Sequence, residues 1–409
     1  MLNFIKKFSI FCFLDNNEYD FDKSYDCIAG AGVKESIISN SNSKLEAINQ
    51  VQKKWSHDWI FAHVAYDVKN EIENLQSFNP DGIGFPEFFF FVPEIVFILT
   101  ENELKIGVHH SANAQKIYDE IISLEATESI RYPSPLLKAR FSRKDYIETV
   151  QRLQQHILRG DCYEINFCQE FYSDNTIIDP LLVYRKLSDL SPNPFSAFYK
   201  YQDKYLMCAS PERFLKKMGN TIISQPIKGT ANRIKNDSDA DDQRKDSLLN
   251  NDKERSENIM IVDLVRNDLA KICTRGSVSV KEFLKVYSFP QVHQMISTIT
   301  GNLQKNISFA DIFYATFPMG SMTGAPKKRV MELIDRYEKT RRGLFSGTLG
   351  YINPGGDFDF NVVIRSIFYN QSNSYVSIQA GSAITFKSNP ENEYDECLLK
   401  ITAMKKAIE

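Results

Sequence analysis

The stretch Ser142-Arg-Lys-Asp-Tyr-Ile-Glu-Thr-Val-Gln-Arg-Leu-Gln-Gln-His-Ile-Leu-Arg-Gly160-Asp-Cys-Tyr-Glu-Ile-Asn-Phe-Cys168 changes its hydrophobic period partway along, and that change decides the fold class. Up to residue 158 the period is helical. Ser142 can cap, Asp145 lies in the first turn, and Tyr146, Val150, Leu153 and Ile157 fall on one face. Gly160 is placed to stop the helix. Beyond it Tyr163, Ile165 and Phe167 alternate with Glu164, Asn166 and Cys168, the two-residue period of a half-buried strand. Working outward to the C-terminus, helices and strands keep mixing with no regular βαβ rhythm and no G-x-G-x-x-G loop. The expected class is α+β, and a doubly wound nucleotide-binding sheet is disfavoured.

Upstream, residues 1 to about 130 mix short apolar runs such as Phe88 to Phe91 and Ile95 to Leu99 with polar connections. Trp55, Trp59, His63 and Tyr66 fall at near-helical spacing and read as core. Pro133, Ser134 and Pro135 mark a connection, so we expect an N-terminal region, 1–135, packed on a longer C-terminal region. Lys6 and Lys7 before Phe8 to Leu14 imitate a secretory leader. The apolar run is short, however, and meets Asp15-Asn16-Asn17 with no small-residue cleavage site, so an internal strand is expected.

The 409 residues suffice for one large domain or two ordinary ones. Net charge is -3 and the basic clusters lie among acids, which excludes an electrostatic footprint for nucleic acid. No apolar run reaches the length of a membrane span. The seven cysteines are scattered, with no zinc spacing, and read as reduced, mostly buried thiols of a cytoplasmic protein.

Two pairs of glutamates stand out. Glu254 and Glu257 are three apart ahead of Ile259-Met-Ile-Val262, and Glu393 and Glu396 are three apart ahead of Lys400. On helices each pair shares a face, and Lys400 joins the second. Two facing pairs would suit Mg²⁺, which takes a few carboxylate oxygens and leaves the rest of its octahedron to water and substrate. Surface helices carry E-x-x-E often, so spacing alone favours a solvated face.

The surrounding words bear on that choice. Ser210-Pro-Glu-Arg-Phe214, Gln225-Pro-Ile-Lys-Gly-Thr230, Glu257-Asn-Ile-Met-Ile-Val-Asp-Leu-Val-Arg-Asn-Asp268, Gly320-Ser-Met-Thr-Gly-Ala-Pro-Lys327, Ala380-Gly-Ser-Ala-Ile384 and Glu393-Tyr-Asp-Glu396 occur in order. Together they resemble the chorismate-binding enzyme family, which includes anthranilate, aminodeoxychorismate, isochorismate and salicylate synthases. The resemblance covers about residues 143–406. It implies a fold like that of anthranilate synthase component I, with two packed antiparallel-rich sheets flanked by helices. It also implies Mg²⁺ on Glu257 and Glu396, with Glu254 and Glu393 in an outer or alternative arrangement. Arg365 and Lys400 would contact the carboxylates of chorismate, a dianion whose two ends one metal ion cannot both neutralise. Gly229, Thr230, Ser321 and Gly381 would line the pocket.

Within the family, loss of the chorismate C4 hydroxyl needs a proton, and the resemblance puts Glu212 in the general-acid position. It must be protonated near pH 7, hence buried or beside other carboxylates; the alternative is a structural glutamate. Water-adding members are similar to one another in carrying a lysine base where this chain has Glu164, which disfavours them. Anthranilate synthases usually carry alanine where this chain has Lys228. In aminodeoxychorismate synthases that lysine attacks C2 as the C4 hydroxyl leaves, and ammonia then attacks C4 and expels the lysine. The chemistry needs a neutral amine, so burial or Mg²⁺ must depress the lysine. The bland alternative is an ammonium that pairs with a substrate carboxylate.

Three departures are visible. Gln294 stands where anthranilate synthases carry a histidine, and His293, one residue earlier, should face the other side of a strand. Ser382 stands in a glycine-rich word, where it is expected to narrow the pocket, and Phe345 replaces a tyrosine. No G-x-C-x-G glutaminase signature occurs, so ammonia must come free or from a separate glutamine amidotransferase subunit. The absence of an L-L-E-S word argues against tryptophan feedback. The expected activity is that of aminodeoxychorismate synthase component I, on the way to 4-aminobenzoate and folate. Its rivals are anthranilate synthase component I and a non-catalytic chorismate-binding regulator.

Overall fold

The computed structural model describes residues 1–19, 25–39, 44–109, 113–124, 132–234, 236–289 and 292–409. The deciding stretch folds as a helix, Arg143–Leu158, followed by a strand, Glu164–Ser173. Ser142 Oγ accepts the Asp145 backbone N–H as the cap, and Gly160 turns the chain at φ +81°, a conformation glycine adopts without steric cost. The strand differs from expectation in being buried on both faces. Ile165 and Phe167 pack under the helix with Tyr146, Val150 and Leu153. On the other side Glu164 bonds a lysine and Asn166 lines a polar cavity. Those polar residues leave solvent because a second sheet closes over them.

Two sheets, of 11 and 10 strands, make up the frame, with antiparallel pairing throughout the described strands. The first runs from Glu164–Ser173 through Tyr375–Ile384, Ser366–Asn370, Lys204–Ser210 and Phe195–Tyr201 into Ile10–Asp15, Cys27–Ala31, Ile95–Thr100 and Glu103–Val108. The second holds Ile227–Asn232 and Val292–Asn302 towards one edge and Ile60–Val64, Phe88–Val92 and Glu35–Ile38 towards the other. Residues 1–135 and 143–406 thus share both sheets, and Pro133 and Pro135 lie in a connection without regular structure.

Strand periodicity explains the packing. In Ile10–Asp15, Phe11 and Phe13 join the core on the outer face of the first sheet while Cys12 joins the core between the sheets. The inter-sheet core is aromatic: Phe309 and Phe313 stack with centroids 4.5 Å apart, and Phe360 meets Phe313 edge-on. The Trp55 to Tyr66 segment corrects the helical reading of its spacing. A helix ends at Lys54, His63 lies in the strand Ile60–Val64, and Tyr66 opens a 3-10 turn. His63 and Tyr66 are nonetheless buried. All seven cysteines are free and buried. Among the described residues no helix is long and apolar enough to cross a membrane.

One buried ion pair ties the frame to the cavity. Arg342 donates to Glu338 at 2.6 and 3.0 Å, to the Asn166 carbonyl at 2.8 Å and to the Met322 carbonyl at 2.6 Å. Arg342→Ala would strand the Glu338 carboxylate and two carbonyls. We expect a loss of about 3–5 kcal/mol, read as a lowered urea midpoint.

Candidate active site

The glutamate pairs sit on two helices. The first, Asp252–Ala270, is capped by the Asn251 side chain and buries Ile261, Val262, Val265 and Leu269. The second, Pro390–Ile408, is capped by Asn389 and buries Cys397, Ile401, Met404 and Ile408. Leu398 on that helix does not join the buried stripe and is 38% exposed. Cys397 takes the place because positions four, seven and eleven further on are the ones that share its face.

Between the sheets and these helices lies a cavity of about 690 Å³. Every site residue expected from the sequence lines it except Glu393. Glu393 is 1% exposed and is reached from the first helix, where Lys253 Nζ lies 2.8 Å from its Oε1 and 3.7 Å from Glu257 Oε1. The two acidic faces therefore meet, with Lys253 between them. Lys253 was missed by the sequence reading, although its four-residue offset from Glu257 was visible.

On the opposite wall Lys228 comes from the strand Ile227–Asn232. Gly229 follows at φ +93°, and a Cβ there would lie 3.2 Å from Glu254 Oε2, so the glycine lets the strand approach the glutamate helix. Lys228 Nζ donates to Glu164 Oε1 at 3.1 Å. Burial works to lower the lysine, but the Glu164 charge, followed by that of Glu257, outweighs it and raises the ammonium above its ordinary value. This corrects the expectation that burial depresses Lys228: the protein by itself stabilises the charged form.

Glu212 is 4% exposed. Burial pushes its carboxyl up to about 7, against the opposing pull of Ser321 and Lys228. That suits a group that must hold a proton near neutrality. Glu257 is pushed up to about 8, again chiefly by burial, with Lys228 opposing. For Glu396 burial works upward, but the Lys400 ammonium 2.6 Å away prevails and the carboxyl lies below its usual range.

Substrate-side groups are also assembled. Lys400 Nζ donates to the Gly381 carbonyl at 2.8 Å. A Cβ at Gly381 would meet the Phe167 carbonyl at 2.4 Å, so only glycine allows that strand contact. Arg365 Nη1 donates to the Lys400 carbonyl at 3.3 Å, and Ser321 is buried. Gln294 lines the cavity, whereas His293 turns away to Ser288 and Asp241 at 2.9 and 3.1 Å. Phe345 lines the cavity as well. Ser382 does not, although Gln379, Ala380, Gly381 and Ala383 around it do; it is buried away from the cavity. The expected narrowing is therefore corrected.

The residues fit a divalent ion. Glu257 Oε1 and Glu393 Oε2 are buried and make no hydrogen bond, which leaves acceptor oxygens open beside Lys253 for an ion to use. Among the described residues no three His, Cys, Asp or Glu side chains cluster as a complete protein cage. Mg²⁺ needs none, since one or two carboxylates suffice when water and substrate oxygens complete the shell.

Comparisons with known proteins identify the family. The model of the chorismate binding enzyme family matches residues 11–406, and the chain belongs to that family. It is 32% identical to aminodeoxychorismate synthase component 1 of Bacillus subtilis, covering 85% of this chain and 76% of that protein. It is also 32% identical to anthranilate synthase component 1 of Thermus thermophilus, covering 86% and 77%. In fold it resembles anthranilate synthase component I of Streptococcus pneumoniae, with a TM-score of 0.80 at 24% identity over 92% of this chain and 91% of that one.

Proposed function

We propose that this chain is an aminodeoxychorismate synthase component I, converting chorismate and ammonia to 4-amino-4-deoxychorismate. The observation that carries the reading is the position of Lys228. Its amine is buried in the cavity wall within hydrogen-bond reach of Glu164, in the cavity that Glu212 and Glu257 also line. A lysine there can form a covalent bond to the substrate ring; anthranilate chemistry has no use for one. Identity leans the same way, reaching 36% with an aminodeoxychorismate synthase component 1 against 32% and 30% with anthranilate synthases, and Lys228 is the residue that discriminates. Product identity by liquid chromatography and mass spectrometry tests it. Enolpyruvyl-bearing aminodeoxychorismate is expected, and anthranilate would overturn the reading.

Each residue has a job in this proposal. Arg365 and Lys400 bind carboxylates, Gly229, Thr230, Ser321 and Gly381 shape the wall, and Glu212 protonates the departing C4 hydroxyl. Glu257 and Glu396 would hold Mg²⁺, which when bound supplies positive charge for the ring carboxylate. Glu254 and Glu393 support that pair. Nitrogen would come from a separate glutamine amidotransferase subunit, and the buried free thiols suit a cytoplasmic setting.

The Glu212 role fixes a pH dependence. With the carboxyl at about 7 in the free enzyme, kcat/KM should be level below neutrality and fall about tenfold per pH unit above it. Glu212→Gln should lose about 10²–10⁴-fold in kcat and the 7-centred limb together. A variant that kept the limb would assign it to another group.

A further inference from the structure

We infer that Glu164 is the proton acceptor that frees the Lys228 amine for attack, an assignment that rests on the covalent reading above. The geometry carries it. Glu164 opens the strand Glu164–Ser173 and is 1% exposed. Its Oε1 accepts from Lys228 Nζ at 3.1 Å, while its Oε2 is buried and makes no hydrogen bond. A purely structural ion pair is most stable with both carboxylate oxygens satisfied; this one keeps an oxygen open. The backbone cannot drift away, because Gly324 lies against it so closely that a Cβ there would sit 2.1 Å from the Glu164 carbonyl.

The other groups facing Lys228 are committed elsewhere. Glu212, from the connection after Lys204–Ser210, must carry a proton to give to the hydroxyl. Glu257, from the first glutamate helix, belongs to the metal set. Among the described residues Glu164 alone has an acceptor in hydrogen-bond contact with the ammonium and no second task.

The proton balance closes. Lys228 ammonium passes a proton to the Glu164 carboxylate, giving a neutral amine and a neutral acid. The amine lone pair forms a bond to C2, the ring double bonds shift, and the C4–O bond breaks as Glu212 supplies the proton that makes the hydroxyl water. Ammonia then bonds to C4, the double bonds shift back, and the C2–N bond breaks to return the neutral amine. Glu164 restores its proton to that amine. The new C4 ammonium yields the proton that Glu212 lost.

The test follows the Lys228 adduct by intact mass, with chorismate and Mg²⁺ present and ammonia withheld. Glu164→Gln should form the adduct about a hundredfold more slowly at neutral pH, with chorismate KM within about threefold of wild type. Its lysine must then lose its proton to solvent, so the ratio of variant to wild-type rate should climb about tenfold per unit over roughly pH 6 to 9. Taking the ratio cancels the Glu212 limb. Glu164→Asp should recover part of the rate. Equal rates overturn the assignment alone, as does a pH-independent loss accompanied by a raised KM and a lowered Tm. If wild type forms no adduct, the covalent reading falls and the assignment with it.

Discussion

Lys228→Ala is expected to abolish aminodeoxychorismate formation, by about a thousandfold or more in kcat, the scale on which loss of a nucleophile is felt. The wall around Lys228 offers no substitute: the residue is 9% exposed, and the groups facing its ammonium are the carboxylates Glu164, Glu257 and Glu212. Lys253 and Lys400 are held against the glutamates of the two helices. The carboxylate-binding alternative makes a different forecast. If Lys228 only paired with an anion, Lys228→Arg would keep most of kcat and Lys228→Ala would mainly raise KM. Under the covalent reading arginine is as inactive as alanine, because a guanidinium does not give up its proton. Circular dichroism should show the fold retained. Product mass and the adduct signal together decide it; undiminished turnover in the alanine variant would remove the mechanism.

The second large effect has two opposite signs in one variant. Glu257→Gln should lose about a hundredfold or more of Mg²⁺-dependent turnover, because it removes a charged ligand from the site that would hold the ion. Wild type in EDTA should behave likewise, and Mg²⁺ titration of the variant should show weakened binding independently of activity. Stability should move the other way. Burial lifts the Glu257 carboxyl from about 4.5 in the unfolded chain to about 8 in the folded one. Between those values the folded state holds a proton that the unfolded state does not, so metal-free wild type loses stability as pH rises from about 4.5 towards 8. Glutamine has no such proton to lose. In EDTA above about pH 8 the variant should therefore show a higher Tm than wild type. A lower one would mean that Lys253, 3.7 Å away, already balances the carboxylate.

Much of this was legible in one dimension because helices and strands impose fixed spacings. The Glu254/Glu257 and Glu393/Glu396 pairs, the cap at Ser142 and the stop at Gly160 needed only local geometry. The six family words located the cavity lining down to individual residues. The failures share a cause. The strand Glu164–Ser173 was read as half-solvated because alternation reports polarity, whereas its polar face is covered by the distant Ile227–Asn232 strand. Ser382 was assigned to the pocket from its place in a word, which does not report where a side chain is buried in the folded sheet. The Trp55 to Tyr66 spacing imitated a helix because large core residues on two successive elements can fall three or four apart.

By itself the chain of residues determined which chemical groups exist and which neighbours share a face: the two acidic helices, the lysine of the P-I-K-G-T word and the glutamate of S-P-E-R-F. Only the tertiary structure decided their charge and their partners. Lys228 and Glu164 are 64 residues apart in the chain and 3.1 Å apart in space. Protonation follows from what surrounds a group and how much water reaches it, and both are set by elements that meet only when the sheets close.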